Sequence, residues 1–334
     1  MEQVNLKKIA SLLNLSVSTA SKALRDSYEI SDETKRKVLK LARELNYQPN
    51  PYASSLRKAR SKTLAVIVPE IANNFFVSAI NGIQRTAQSK GYHVLIYISH
   101  ENCEYEKDLV NYLVNGRVDG VLISLSKGTK DIDHLNKLRE NGRPVVMFDR
   151  VAEKAGFSTV TTDDLESAYR ATEHLINRGC TRIGHCRISQ NLSIGNKRLE
   201  GYKEALEKYG INYDPSLVVD CSLDKETDLD LIRTMIIENK PDGIFAAVES
   251  HALWVYELCK EMDLRIPDDI GVITFSNLAT AHLLAPSLST ITQPAVEIGH
   301  EAALHLIKSL EKSKGYRVED IIIKSSLICR DSTN

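Results

Sequence analysis

From residue 63 to its end the chain keeps a rhythm that few folds can satisfy: a short apolar run, an amphipathic stretch, then a turn. Apolar runs lie at 64–68, 93–98, 120–125 and 145–148, and amphipathic stretches at 75–90, 104–115 and 131–141 separate them. Gly91, Gly116 and Gly142 sit just past those stretches, where helices commonly end on a left-handed residue. Such alternation is the mark of βαβ units, so a parallel sheet with helices on both faces is expected. The rhythm then repeats. Strands are expected at 160–162, 182–186, 217–220, 243–247 and 270–275, alternating with helices at 164–178, 196–209, 227–239 and 250–262. Two similar α/β halves imply a cleft between them. A run at 288–293, a helix over 296–312 and a strand at 321–325 complete the plan.

The first sixty residues differ in character. Asn5 is a good N-cap, and Leu6, Ile9, Ala10 and Leu13 fall at helical spacing. Asn14 tolerates the left-handed backbone of a tight turn, and Ser16 caps a second helix. Along it Val17, Ala20 and Leu24 can face inward, leaving Ser18, Thr19, Ser21, Lys22 and Arg25 outward. Hydroxyls and long cations suit base edges and phosphates in a major groove, although an ordinary pair of surface helices would show the same pattern. Ser31 caps a third helix over 32–46, with Asp32 and Glu33 in its first turn and an apolar stripe of Val38, Leu41, Ala42 and Leu45. Pro49 and Pro51 follow, and 52–58 has room for only about two turns of helix, marginal without a partner. Residues 1–62 carry 13 Lys and Arg against 6 Asp and Glu, leaving 30 against 38 for the remainder. A basic head on an acidic body points to nucleic acid, bound with an affinity that falls steeply with salt.

On these residues the chain resembles the LacI/GalR family of bacterial transcriptional regulators. Residues 5–56 resemble its DNA-binding head and the rest its effector-binding core; the most specific portions are 17–22, ELNYQPN at 44–50, and Leu56. The resemblance implies a small all-α helix-turn-helix head (1–49), a hinge helix and linker (50–62), and an α/β core (63–334). The core would be of the type I periplasmic-binding-protein-like kind, with two Rossmann-like subdomains. An N-subdomain would take about 63–161 and 292–323, a C-subdomain about 162–291 and 324–334, with three hinge crossings between them. Further implied is a homodimeric repressor on a pseudo-palindromic double-stranded operator. Its second helices would read the major groove, and paired hinge helices would wedge each Leu56 into a central base step of the minor groove. The DNA-facing candidates are Asn5, Ser16, Val17, Ser18, Thr19, Ser21, Lys22, Arg25, Asn50, Ala53 and Leu56.

In open α/β sheets, ligands bind beyond the carboxyl ends of the strands. That rule selects Asn73, Phe75, Phe76, Asp149, Arg150, Glu249, Ser276 and Asn277. The resemblance adds Arg198, in the RLEGY stretch that the family uses to reach its effector, and Leu223 joins the set. An aromatic face with carboxylate, guanidinium and amide groups suits a sugar or sugar derivative. Each has a plainer role open to it: Asp149 and Arg150 as a hinge ion pair, Phe75 and Phe76 as packing, Arg198 as a cap on carbonyls. The chain departs from the family at Val248-Glu249 and Ser276, where Asn-Asp and Asp are usual, and at Arg187-Ile188 and Trp254. The pocket is therefore expected to be altered, with Trp254 packed in a helix interface.

An enzyme is not expected, for the chain has no GxGxxG, GxxxxGK[ST] or GxSxG. His300 and His305 are five apart, about 140° around a helix at ~100° per residue, and cannot share a metal as HExxH does. Asp163 and Asp164 precede a helix, where acidic caps belong. Six cysteines without CxxC spacing suggest buried reduced thiols. Neither metal nor cofactor is expected. No apolar run reaches the ~18 residues of a membrane span, and MEQVNLKKIA has no apolar signal region. Those points favour a cytoplasmic, nucleoid-associated protein without membrane contact. A chain end at Asn334 without a leucine heptad tail favours a dimer. Two alternatives stay open: a regulator with a degenerate pocket that answers to a partner protein, and a sugar-binding protein with no DNA role.

Overall fold

Asn5, Ser16 and Ser31 each accept a hydrogen bond from the backbone N–H three residues on. These caps start α1 (Leu6–Leu12), α2 (Val17–Leu24) and α3 (Asp32–Glu44). The computed structural model describes residues 5–47, 61–114, 118–311 and 317–334. It falls into two units, Met1–Ser61 and Lys62–Asn334. In the first, Ile9, Ala23, Val38 and Ala42 are buried, with Leu13, Leu24, Leu41 and Leu45 packed against them. Asn14 takes φ 53° in the turn between α1 and α2, and Asn46 takes φ 48° just beyond α3. One inward assignment fails: Val17 is 38% exposed, and Ala23 at 1% takes its place. The buried stripe centres between Ala20 and Ala23, which at ~100° per residue lies about 90° away from Val17.

In the second unit, the strands are β1 (Thr63–Val68), β2 (His93–Ile98), β3 (Gly120–Ile123), β4 (Val145–Phe148), β5 (Ser158–Thr162), β6 (Ile183–Ile188), β7 (Val218–Cys221), β8 (Gly243–Ala246), β9 (Gly271–Phe275), β10 (Ser289–Thr292), β11 (Asp320–Ile323) and β12 (Ser326–Ile328). The helices among them are α4 (Asn74–Ser89), α5 (Cys103–Val114), α6 (Asp133–Glu140), α7 (Asp164–Asn177), α8 (Ser193–Lys208), α9 (Lys225–Asn239), α10 (Glu249–Glu261) and α11 (Ala295–Glu311). They build two six-stranded sheets, ordered β11-β5-β4-β3-β1-β2 and β12-β10-β9-β8-β6-β7. Every pairing is parallel except β10 with β12. The central strands β3, β4 and β9 are buried at every position, as a sheet covered on both faces requires. Gly91 and Gly142 take φ 72° and 70°, ending α4 and α6 as expected; Gly116 lies outside the described residues. No described helix is long and apolar enough to cross a membrane.

The chain passes between the two lobes after β5, after β10 and between β11 and β12. The expected strand at 321–325 is two short strands in different sheets, because the chain changes lobe at Lys324 and Ser325. Asp163 makes no side-chain cap on α7, contrary to the expectation for an acid before a helix. Its Oδ1 accepts instead from Ser325 N at 2.7 Å and Ser167 Oγ at 2.8 Å, and its Oδ2 from Arg170 at 3.1 Å. Thr162 and Ser325 hydroxyls meet at 2.5 Å. Two of the crossings are thereby lashed side by side.

Helices α4 and α11 touch through glycines. A Cβ at Gly299 would stand 2.0 Å from the Ala79 carbonyl oxygen, and one at Gly82 would stand 2.1 Å from that of Val296. Backbone cannot yield as a flexible side chain can, so the helices would have to part. Gly299→Ala is expected to cost about 1–3 kcal/mol, read as a lower urea midpoint at constant m-value; an unchanged midpoint contradicts this packing.

Candidate nucleic-acid interface and effector cleft

On α2, Val17 and Ser18 are exposed, while several neighbours are already engaged. The Ser16 hydroxyl caps Thr19 N at 3.0 Å and meets the Thr19 hydroxyl at 2.8 Å. Lys22 pairs with Glu29, and Arg25 folds back on Ser21, 3.1 Å to its carbonyl and 3.2 Å to its hydroxyl. Surface pairs of this kind are worth ~0–1 kcal/mol, so a phosphate or guanine edge can displace them. Asn5 is exposed at the start of α1 and uses its carbonyl to cap Lys8 N. Asn50, Ala53 and Leu56, with the expected hinge helix, lie outside the described residues.

In the core, the carboxyl ends of the strands bring most of the candidate effector residues together. Asp149 follows β4 with φ 60° and is buried, a backbone state that Asp and Asn tolerate. Burial pushes its carboxyl up to about 6, against the lowering charges of Arg150 and Arg198. Arg150 donates to Glu101 at 2.6 Å, and its guanidinium lies 5.7 Å from the Phe76 ring centre. Arg198, 2% exposed, donates through Nε to Asp164 at 2.8 Å and through Nη1 to the Ala247 carbonyl at 2.5 Å. Its Nη2 lies 2.7 Å from Asp164, and the guanidinium stacks 3.8 Å from the Phe275 ring centre. Asp164, expected as a helix cap, is thus the buried partner of Arg198; burial raises its carboxyl while Arg198 pulls the other way.

Glu249 spans the lobes, accepting from Asn74 Nδ2 at 3.0 Å and from Ser276 Oγ at 2.5 Å. Asn277 donates to the Gln293 carbonyl at 2.7 Å. Asn73 caps α4 at Phe75 N. Phe75 and Phe76 are both buried in the first lobe's core, edge to face at 5.3 Å; packing accounts for them. Leu223 has φ 69° and packs beside Ile188, Leu192 and Val248. Trp254 packs against the core of the second lobe, as expected.

An open cavity of about 390 Å³ lies between the lobes. Of the candidate set only Arg150 lines it; Ser126 and Glu153 face it from one lobe, Ser193, Asn196 and Lys197 from the other. Across its mouth Lys197 pairs with Glu153 at 2.7 Å, and Val151 N donates to Ser193 Oγ at 3.4 Å. Sequence reasoning missed Ser193 because it lies in a helical turn opened by Leu192, which makes no side-chain cap and gives no start signal. Deeper in, three buried polar atoms have no hydrogen-bond partner among the described residues: Arg150 Nε, Gln293 Nε2 and Asn277 Oδ1. Gln293 lies close enough to lower the Asp149 carboxyl slightly.

Residues 61–330 match the family model described as periplasmic binding proteins and sugar binding domain of the LacI family, and residues 5–50 match that of bacterial regulatory proteins, lacI family. The chain belongs to the LacI family. Along its length this LacI-family protein is 31% identical to the HTH-type transcriptional repressor CytR of Escherichia coli K12, over 98% of this chain and 96% of that protein. Among solved structures it resembles the transcriptional regulator CelR–cellobiose complex at 26% identity and TM-score 0.75, covering 98% of this chain and 99% of that one. A LacI family transcriptional regulator of Enterococcus faecium with bound ribose aligns at 26% identity and TM-score 0.70, over 81% of this chain and 98% of that one. The protein is therefore a DNA-binding LacI/GalR-type regulator with an effector core.

Proposed function

We infer that the chain is a homodimeric repressor whose operator affinity is set by a small hydroxylated effector, a sugar or sugar derivative, held between the lobes. The observation that carries this is the 390 Å³ cavity with polar groups from both lobes, within the ~300–1,000 Å³ of ligand sites. Sugars bound to the CelR and Enterococcus relatives support it. On this reading Arg150, Ser126 and Glu153 would meet the effector from one lobe and Ser193, Asn196 and Lys197 from the other, while Asp149, Arg198, Glu249, Ser276 and Asn277 stand behind that lining and would reach it only in a rearranged cleft. An effector shifts DNA affinity only by its different affinity for two arrangements of the lobes.

A thermal-shift screen of monosaccharides, disaccharides, sugar phosphates, sugar acids and nucleobases tests this. A native-state ligand at 100 times its Kd stabilises by about 2.7 kcal/mol. A hit among the sugars supports the reading. Silence across the panel with specific DNA binding intact favours a partner protein as the signal. Glu249 is the observation behind that second reading, since it already fills the deep cleft with contacts to Asn74 and Ser276.

On the DNA side, we infer that α2 reads the major groove and that Leu56 is a minor-groove wedge. Leu56→Ala is expected to weaken specific binding more than non-specific binding, because only the kinked operator uses the wedge. Equal losses in paired titrations contradict it.

A further inference from the structure

In the second lobe, Cys186 on β6, Cys221 ending β7, Asp228 in the first turn of α9 and His251 in that of α10 meet in the interior. None exceeds 2% exposure. Ligand atoms of Cys221, Asp228 and His251 lie within 4.8 Å of one another. Cys186 lies on the strand paired with β7, two positions before Ile188, the residue opposite Cys221, so both side chains project from the same face of the sheet, and neither sulfur is in a disulfide.

His251 supplies a second, independent observation. Its Nδ1 lies 3.2 Å from the Cys186 carbonyl, which places the ring proton on Nδ1. That leaves Nε2 as a bare lone pair, and Nε2 is buried with no hydrogen-bond partner among the described residues. Metal-bound histidines have this arrangement, the far nitrogen tied to a carbonyl. Asp228 is fixed by Ser222 N at 2.7 Å, Ser222 Oγ at 3.1 Å and Leu223 N at 2.8 Å. No Lys or Arg among the described residues forms an ion pair with it. Asp228 is thus held as a hydrogen-bonded carboxylate, and the unsatisfied member of the group is the His251 Nε2 lone pair.

We propose that Cys186, Cys221, Asp228 and His251 form a tetrahedral site for a thiophilic divalent cation, Zn²⁺ being the natural fit. Sulfur, imidazole and carboxylate are the zinc ligand types. Zinc bonds of ~2.0–2.3 Å set ligand atoms ~3.3–3.8 Å apart, so Cys221, Asp228 and His251, within 4.8 Å of one another, draw in by at most about 1.5 Å, and Cys186 turns toward them as the fourth ligand. As two S–Zn bonds form, two thiol protons leave to solvent. CxxC spacing gives no hint of the site, because four separate elements supply its ligands. His251 shares a helical turn with Glu249, and Asp228 holds the loop of Leu223, so the cation braces one wall of the cleft.

The full-length protein, stripped with a chelator and titrated with Co²⁺ as a visible probe, tests the site. One equivalent is expected to give a thiolate-to-cobalt charge-transfer band and intense tetrahedral d–d absorption, both removed by one equivalent of Zn²⁺. Cys221→Ser is expected to abolish the charge-transfer band or halve it, and Cys186→Ser to halve it. Cys259→Ser, which alters a buried thiol elsewhere, leaves it intact. Should one variant fail to fold, the other and the unmodified chain still decide. Absence of the band in the unmodified chain, a band indifferent to both substitutions, or recovery of the two thiols only as a Cys186–Cys221 disulfide overturns the proposal.

Discussion

Arg198→Ala is expected to lower the unfolding free energy by about 3–5 kcal/mol. The guanidinium is 2% exposed and lies against Asp164, itself 2% exposed. Removing it strands a buried carboxylate, frees the Ala247 carbonyl and uncovers one face of Phe275. Lysine is a poor replacement, since an ammonium cannot match the planar fork that serves Asp164 and Ala247 together. Arg198→Ala combined with Asp164→Asn is expected to recover part of the loss, and a double-mutant cycle in urea measures how much. A cost below 1 kcal/mol contradicts the pairing. At least three of the five guanidinium N–H groups are occupied by protein, so Arg198 is first of all a tie between Asp164 and the Ala247 carbonyl.

Asp149→Asn is expected to stabilise the protein by on the order of 3 kcal/mol at neutral pH and above. The folded carboxyl is raised from 3.8 to about 6. Between those values the folded chain keeps a proton that the unfolded chain has lost. Its contribution to stability is therefore complete below pH 3.8, declines as pH rises through 6 and is gone above it. Asparagine keeps the size and tolerates the φ of 60°, and it carries no charge to bury. The buried imidazoles of His185 and His251, pushed down to about 3 and about 4 by burial, tilt the whole-protein profile the other way. The difference between variant and parent isolates Asp149: it grows from pH 4 to pH 6 and is flat beyond. A flat difference throughout contradicts the burial argument. If Asp149 also meets the effector, the same variant answers it poorly, trading stability for response as binding sites commonly do.

Periodicity carried the architecture because parallel strands buried on both faces read as apolar runs, and Gly91, Gly142 and the caps Asn5, Ser16 and Ser31 punctuate them. What stayed hidden lacked a local signal. Leu192 opens α8 without a cap, so the turn holding Ser193 was invisible. Asp163 and Asp164 look like helix caps in sequence, yet one lashes two crossings and the other faces Arg198, partners 162 and 34 residues away. Cysteine burial was legible only in part: Cys186, Cys221 and Cys259 are buried, whereas Cys103 and Cys180 are half-buried and Cys329, beside the short edge strand β12, is exposed. Of the residues the strand-end rule selects, only Arg150 lines the open cavity; the loops after β3 and β4 that flank it lie where the rule points, whereas helix α8, which supplies Ser193, Asn196, Lys197 and Glu200, lies outside what the rule weighs.

The most direct test of a ligand-responsive operator-binding protein is to enrich bound sequences from a randomised duplex pool with the full-length chain. Titrations of the enriched site and of a scrambled one then follow at fixed salt, with and without the sugar found by thermal shift. The account predicts an inverted repeat bound by two chains, at least about 10³-fold tighter than the scrambled duplex, with an affinity that the sugar changes. Binding equally tight to both duplexes, or no enriched repeat, contradicts it.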